Sequence, residues 1–409
     1  MADLSPLDCP LRQPHALERR NIAGAKERSA VRNVALDLGK KKTTYCEIAD
    51  GKVVQRATVT RVESLSSLLG PDHPPATVAI EACREAWYVH DLLSGWGNRV
   101  LLVDTTRNKQ IGVGRHGRKT DRIDAEVLAR AVERGGIPVA HLLSPHRREL
   151  RRVLGIRRAL VESRAQLVTT ARGVARESGI SLPGCTTENF STRVRTLAKN
   201  EPLLCPLEPL LKTIDVVSAE LVGVEAELAR LCAAEPIIMH LCTVPGVGPI
   251  VAASFVSVVD DAKRFQRAHH LESYLGLVPN ENSSGGKRRL GAITKKGNKY
   301  LRTVLVQAAW ALLRKASPDD PLRRWTEAVA ERRGKRVAVI ALARKLSGVL
   351  WAIWRDAAVY DPDALAQRTA RGLRTSARDT QLQAAALEAA ASKRSLRRIS
   401  REATTPAKT

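Results

Sequence analysis

From residue 31 onward, short apolar runs alternate with turn signals. Residues 31–38 form an apolar run closing on Asp37 and Gly39, residues 43–49 resume after Lys40-Lys41-Lys42, and residues 52–60 are rich in Val and Thr. This pattern predicts three antiparallel strands, with Asp50-Gly51 as a hairpin signal. A helix at 62–69, a strand at 77–81, a helix at about 85–96, a strand at 99–103 and a helix at 121–133 follow by the same reading.

Beyond residue 145 the period lengthens. Stretches 146–177 and 208–234 carry apolar residues every three or four positions, with Arg and Glu between them, and predict an antiparallel helical arm over 146–236. Residues 179–206 hold Gly, Pro and small polar residues and read as a loop or tip that interrupts the arm. Residues 237–360 read as a mainly helical unit. Residues 361–409 form an Ala-, Arg- and Gln-rich tail, helical at most around 379–392, and residues 1–30 read as a loose basic leader. No uninterrupted apolar run approaches the roughly 18 residues of a spanning helix, and the N-terminus lacks the apolar stretch of a signal peptide. The expectation is therefore a cytoplasmic chain without a membrane partner.

Composition narrows the partner. The chain has 409 residues, of which 44% are hydrophobic, so two or three folded units are expected. Its formal net charge of +25 makes a polyanion, and nucleic acid first, the expected ligand. Aromatics amount to only 3%, which leaves few rings for stacking on unpaired bases and favours phosphate contacts. Cys9, Cys46, Cys83, Cys185, Cys205, Cys232 and Cys242 show no CxxC spacing, which argues against zinc and against a disulfide framework; they read as ordinary, mostly buried residues.

A three-stranded meander followed by alternating strands and helices is the order of a ribonuclease-H-like α/β domain, here over 31–145, although many mixed α/β domains share it. Four acids fall at informative places in it. Asp37 ends the first predicted strand and Glu81 the fourth. Asp121 and Asp124 lie in the first turn of a helix, in the run Lys119-Thr120-Asp121-Arg122-Ile123-Asp124-Ala125, three residues apart and so on one helical face. Carboxylates that converge in this way suit Mg²⁺ or Mn²⁺ in phosphoryl transfer. Singly, each has a plainer reading: Asp121 and Asp124 as N-terminal caps, Asp37 as a turn former before Gly39. Together, in a strongly basic chain, they favour metal binding.

Further along, Thr243-Val244-Pro245-Gly246-Val247-Gly248-Pro249 before an apolar run reads as a helix–hairpin–helix turn, in which Gly246 and Gly248 let backbone amides approach a DNA phosphate. A glycine-rich helix connection without a ligand is the alternative. Next come Gly276-Leu277-Val278-Pro279, the loop Asn282-Ser283-Ser284-Gly285-Gly286-Lys287-Arg288-Arg289, and Lys295-Lys296-Gly297-Asn298 leading into a helix with Arg302. A serine in a basic, glycine-flanked loop suits nucleophilic attack at phosphorus, and a flexible turn with a solvated basic patch is the alternative.

Taken in order, these motifs make the stretch from Val31 to Trp354 resemble the DEDD transposases of the IS-one-ten and IS-eleven-eleven insertion-sequence group, described as RNA-guided recombinases. The resemblance implies a RuvC-like α/β domain, a helical coiled-coil arm and a mainly helical C-terminal domain with a helix–hairpin–helix motif. It implies catalytic, metal-binding roles for Asp37, Glu81, Asp121 and Asp124, with Ser284, directly before Gly285, as the residue joined covalently to DNA. It places nucleic-acid contacts at Gly246, Gly248, Lys287, Arg288, Arg289, Lys295, Lys296 and Arg302. Family members continue the Glu with Ala-Thr-Gly, where this chain has Ala82-Cys83-Arg84. The resemblance further implies a guide noncoding RNA pairing with donor and target DNA, dimers and tetramers, and a composite site shared between subunits. The other functions open to these residues are a metal-dependent structure-specific nuclease with an idle Ser284, and a non-catalytic nucleic-acid-binding protein.

Overall fold

A computed structural model describes residues 32–104, 121–283, 289–364 and 367. The leader, the segment just before Asp121, the loop residues 284–288 and the tail from 368 lie outside them, and with them the expectations for disorder at 1–30 and a helix near 379–392. The chain divides into two compact units, Met1–Leu142 and Leu143–Thr409.

In the first unit, strands β1 (Arg32–Leu38), β2 (Thr43–Ala49) and β3 (Lys52–Val59) form the meander. Asp50 and Gly51 both take positive φ, 53° and 71°, the backbone a tight right-twisting hairpin requires. A 3-10 turn, Val62–Leu65, runs into the short helix α1 (Ser66–Leu69); β4 (Ala76–Glu81), α2 (Ala86–Gly95), β5 (Arg99–Val103) and α3 (Asp121–Glu133) complete the unit. Among the described residues the strands make a five-stranded sheet in the order β3-β2-β1-β4-β5, with β1, β4 and β5 parallel. Side chains alternate between faces along each strand. One set, with Val34, Leu36, Val78 and Ile80, packs with Leu65, Leu69, Val89 and Leu93. The other, with Ala35, Cys46, Ile48 and Ala79, packs with Ala125, Leu128, Ala129 and Val132 of α3. The small Ala35 and Ala79 let α3 lie close to the sheet. The outer side of β5 is closed by a bridge from Val103 to Val139, with Ala140 N donating to Leu102 O at 2.7 Å, so that edge is not left open.

The second unit opens with α4 (Pro145–Glu177), whose proline at the first turn lacks only an amide the helix would leave unused. It continues through α5 (Phe190–Ala198), a 3-10 turn at Pro202–Leu207 and α6 (Glu208–Ala233). Helices α4 and α6 pack antiparallel: Arg157 meets Glu225 at 2.7 Å and, nearer the tip, Arg164 meets Ser218 at 3.3 Å. The segment between them is not a plain loop. Phe190 and Val194, one helical turn apart on α5, join Val168, Ala171, Leu204, Leu207, Leu211 and Ile214 in a separate small core. Turn residues flank this apolar spacing and hide it in the sequence.

The main core of the unit is built from α7 (Pro236–Cys242), α8 (Pro249–Val259), α9 (Ala268–Tyr274), the antiparallel ribbon of β6 (Pro279–Glu281) and β7 (Leu290–Ile293), and α10 (Lys299–Lys315), α11 (Pro321–Arg333) and α12 (Lys335–Asp356). Its buried residues include Phe255, Leu271, Leu305, Leu312, Leu342, Leu346 and Leu350, and a side chain of this kind contributes about 1.5–3 kcal/mol when fully removed from water. By length and composition α12 is able to cross a membrane, which no run in the sequence had indicated; here Leu342, Leu346 and Leu350 lie inside the helical core. The cysteines depart from expectation too. Of those described, Cys46 and Cys232 are buried, Cys185 and Cys242 are half-buried, and Cys83 and Cys205 are exposed.

Candidate active site

The parallel register of β1 and β4 runs from Arg32 opposite Ala76 to Leu36 opposite Ile80, so the next step sets Asp37 beside Glu81 at the C-terminal edge of the sheet. Alternation along each strand assigns both acids to the face of Ala35 and Ala79, the face covered by α3. Helix α3 runs antiparallel to β1. Near its C-terminus Glu133 accepts from Gly51 N at 2.9 Å, and Arg130 donates to Gly51 O at 2.8 Å, at the opposite edge of the sheet. Midway, Glu126 pairs with Arg56, which lies opposite Cys46 in the ladder. The first turn of α3, with Asp121 and Asp124, therefore lies toward the Asp37–Glu81 edge.

The acids of α3 differ in kind. Arg130, and then Arg56, hold the Glu126 carboxyl below the usual carboxylate range, so that acid is engaged in structure. Asp121 is exposed. Asp124 is only 5% exposed, and its Oδ1 is buried with no hydrogen-bond partner. A buried carboxylate oxygen left in this state is costly unless something compensates it. The plain capping reading does not account for that oxygen, whereas the donor chemistry, oxygen only and anionic, fits a hard divalent ion. Among the described residues, no three His, Cys, Asp or Glu side chains are gathered closely enough to hold a metal as they stand.

The second group of residues surrounds the ribbon. Asn282 N donates to Arg289 O at 2.9 Å, so β6 and β7 stay paired up to the loop that carries Ser284. Ser284, Lys287 and Arg288 lie outside the described residues. Ser283 is engaged: its Oγ donates to Glu281 Oε1 at 2.8 Å and accepts from Arg289 N at 3.2 Å. The ribbon itself was not foreseen in a stretch read as mainly helical. Four residues per strand or fewer give no period to detect.

Its base is an interlock of two glycine turns. Gly276, at φ 70°, has Lys296 O only 1.9 Å from where a Cβ would stand, and Gly297, at φ 90°, has Tyr274 O at 2.1 Å. Lys295 N donates to Gly276 O and Thr294 N to Val278 O. Arg302 closes the interlock, donating from Nη1 to Leu275 O at 3.1 Å and to Lys296 O at 3.0 Å. Expected as a nucleic-acid contact, Arg302 thus spends this nitrogen on the two backbones that enter and leave the ribbon. Lys295 and Lys296 are exposed beside it, and Asn298 Oδ1 caps α10 by accepting from Leu301 N at 2.9 Å.

At the proposed hairpin, the two glycines separate. Gly246 has φ 82°, and a Cβ on it would stand 2.5 Å from Leu312 N and 2.6 Å from Ala308 O of α10. Packing alone requires glycine there. Gly248, at the N-cap of α8, has nothing within 4 Å of the corresponding point and stays open to a ligand.

Two family models match these same regions. The DEDD-type IS110 transposase model covers residues 34–178, and the model of the IS116/IS110/IS902 transposase family covers residues 239–323. A probable family 20 transposase of Pseudomonas aeruginosa is 31% identical over 297 residues, 71% of this chain and 87% of its own length. The chain belongs to the IS116/IS110/IS902 transposase family. It is similar as well to the transposase of insertion sequence element IS1111A from Coxiella burnetii, at 28% identity over 85% of this chain and 97% of the relative. The IS1328 transposase of Yersinia enterocolitica is 27% identical over 80% and 98%. The protein is accordingly an enzyme of DNA transposition, cutting and rejoining DNA. The first matched segment of this transposase contains Asp37, Glu81, Asp121 and Asp124, and the second contains Gly246, Gly248, Ser284 and Arg302.

Proposed function

We propose that this transposase breaks DNA by attack of the Ser284 hydroxyl on a backbone phosphorus, with Mg²⁺ or Mn²⁺ held by Asp37, Glu81, Asp124 and Asp121. As the Oγ–P bond forms, one P–O bond of the strand breaks. The serine proton passes to a base, and the departing sugar oxygen takes up a proton to become a hydroxyl. The phosphodiester is thereby kept as a phosphoserine ester, which a second hydroxyl can attack to rejoin the strand in a new place. When bound, the ion supplies positive charge for the phosphoryl oxygens. Lys287, Arg288, Arg289, Lys295 and Lys296 supply further charge around the serine and hold flanking phosphates.

The observation that carries this reading is the neighbouring position of Asp37 and Glu81 in one register, on the face toward which α3 presents the unpartnered Oδ1 of Asp124. Three carboxylates directed to one end of this face offer an all-oxygen, anionic donor set of the kind a hard divalent cation takes. One further point supports Ser284 over its neighbour: the Ser283 hydroxyl is already engaged, donating to Glu281 and accepting from Arg289 N. The same reading includes an element-encoded noncoding RNA that pairs with donor and target DNA, and dimers or tetramers on DNA. The net charge of +25 suits a protein that must hold several polyanions at once.

The test is a denaturing gel of protein incubated with donor and target DNA and co-purified RNA. Ser284→Ala should eliminate the covalent protein–DNA adduct, Ser283→Ala should retain it, and chelation of divalent metal should block it in the unaltered protein. An adduct that survives Ser284→Ala assigns the nucleophile elsewhere, and one that forms fully in chelator detaches the serine from the acidic edge.

A further inference from the structure

Of the six tryptophans, Trp310 is the one exposed, at 37%. It stands on α10 in a hollow of about 200 Å³ between α10, α11 and the start of α12. Leu313 and Ala330 give the hollow apolar walls, and Arg314 and Lys335 are both exposed at it. The one acid lining it, Glu327, is paired with Arg323 at 2.9 Å, so its charge is compensated. The turn from α11 to α12 adds Arg332, Arg333 and Arg336, all exposed. A large indole left in water beside apolar walls has an unmet preference for a flat apolar partner. The hollow is below the roughly 300–1,000 Å³ of pockets for drug-sized ligands and cofactors. It suits one planar ring. The cations around it require that ring to be attached to an anion.

We propose that Trp310 is a stacking platform for a single unpaired nucleobase, with the flanking phosphates held by Arg314 and Lys335. Its face offers a π-surface to any base, and stacking of this kind tolerates sequence because every base has such a face. A base paired inside a duplex cannot reach the indole without leaving its stack, so the site selects single-stranded or flipped nucleotides over duplex. The low aromatic content argues against a multi-base platform, and one ring is enough for one base. This proposal does not depend on the serine or the acids.

Binding of the full-length protein to a 12-nucleotide single strand, as DNA and separately as RNA, is measured by fluorescence anisotropy beside the duplex of the same sequence. Trp310→Ala should weaken single-strand binding roughly tenfold, in the range lost with one stacked base. Trp310→Phe should recover most of it, and duplex affinity should stay within about twofold for both. Arg314→Gln with Lys335→Gln should lower the salt dependence of single-strand binding by close to two ionic contacts. Loss in the RNA arm alone marks a guide strand as the source of the nucleotide, and loss in the DNA arm a displaced strand; either supports the site. Unchanged single-strand affinity in Trp310→Ala overturns it, as does an equal loss on duplex, or Trp310→Phe behaving like the alanine variant. Thermal unfolding of each variant within a few degrees of the parent excludes a folding defect.

Discussion

At the acidic edge, Asp37 and Glu81 stand on adjacent parallel strands inside a five-stranded sheet, fixed by a ladder that begins five residues earlier at Arg32 and Ala76. The ribbon that leads to Ser284 has two short strands, and its placement comes from Gly276, Gly297 and Arg302 at its base. In the first region, position is spread over many backbone hydrogen bonds, and the proposed chemistry centres on one buried oxygen of Asp124 that has no hydrogen-bond partner. In the second, the proposed nucleophile Ser284 follows the ribbon in sequence, and the ribbon's position is concentrated in three residues. Substitutions should therefore separate function from stability at the acidic edge and couple them at the ribbon.

The largest effect is expected at Asp124. Asp124→Asn keeps the shape and removes the charge, so recombination should fall at least about 100-fold with loss of a metal-held acid, while binding of nucleic acid stays within about twofold. In chelator the same variant should melt a few degrees higher than the parent, because a buried unpartnered carboxylate is destabilising by on the order of 1–3 kcal/mol. Added Mg²⁺ should then raise the melting temperature of the parent and leave that of the variant unchanged. An active Asp124→Asn protein, or one that melts lower in chelator, removes the functional reading of this residue.

Next in size is the interlock. Gly276→Ala puts a methyl 1.9 Å from the Lys296 carbonyl at a positive φ, and should destabilise the second unit by more than about 3 kcal/mol in urea unfolding, or free the ribbon and abolish adduct formation. Gly248→Ala, with open space at the same point, should stay within about 1 kcal/mol. If the two variants unfold alike, the ribbon is not held as described.

Arg302→Lys is expected to have the smallest effect of the three. An ammonium lacks the planar fork of the guanidinium and should no longer hold both carbonyls. Turnover should fall roughly tenfold, about what one or two net hydrogen bonds contribute, with DNA affinity and its salt dependence unchanged. A loss of affinity with a salt slope shallower by about one contact instead makes Arg302 a phosphate ligand.

Much of the first unit could be read from sequence because its signals are local. Short apolar or Val- and Thr-rich runs of seven or eight residues bounded by turn residues mark β1, β2 and β3, Asp50-Gly51 marks the turn between β2 and β3, and a three-residue spacing joins Asp121 to Asp124. The long periods of α4 and α6 were equally plain, since each presents an apolar face over many turns. The order of motifs from Asp37 to Arg302 pointed to the transposase family before any contact was known.

Other features depended on atoms distant in the chain. Whether Asp37 lies beside Glu81 is a matter of register across 44 positions, and the loss of a partner at Asp124 Oδ1 is a matter of burial; neither has a local signature. Gly246 and Gly248 look alike in the sequence, yet only the first lies against α10. Arg302 looks like any cation on a basic face until its nitrogen is found between Leu275 and Lys296. The chain by itself determined which residue types recur at which spacing, because periodicity and turn chemistry act between near neighbours. Tertiary structure alone decided which of them are buried, satisfied or left open, because desolvation and close packing depend on what the rest of the chain brings alongside.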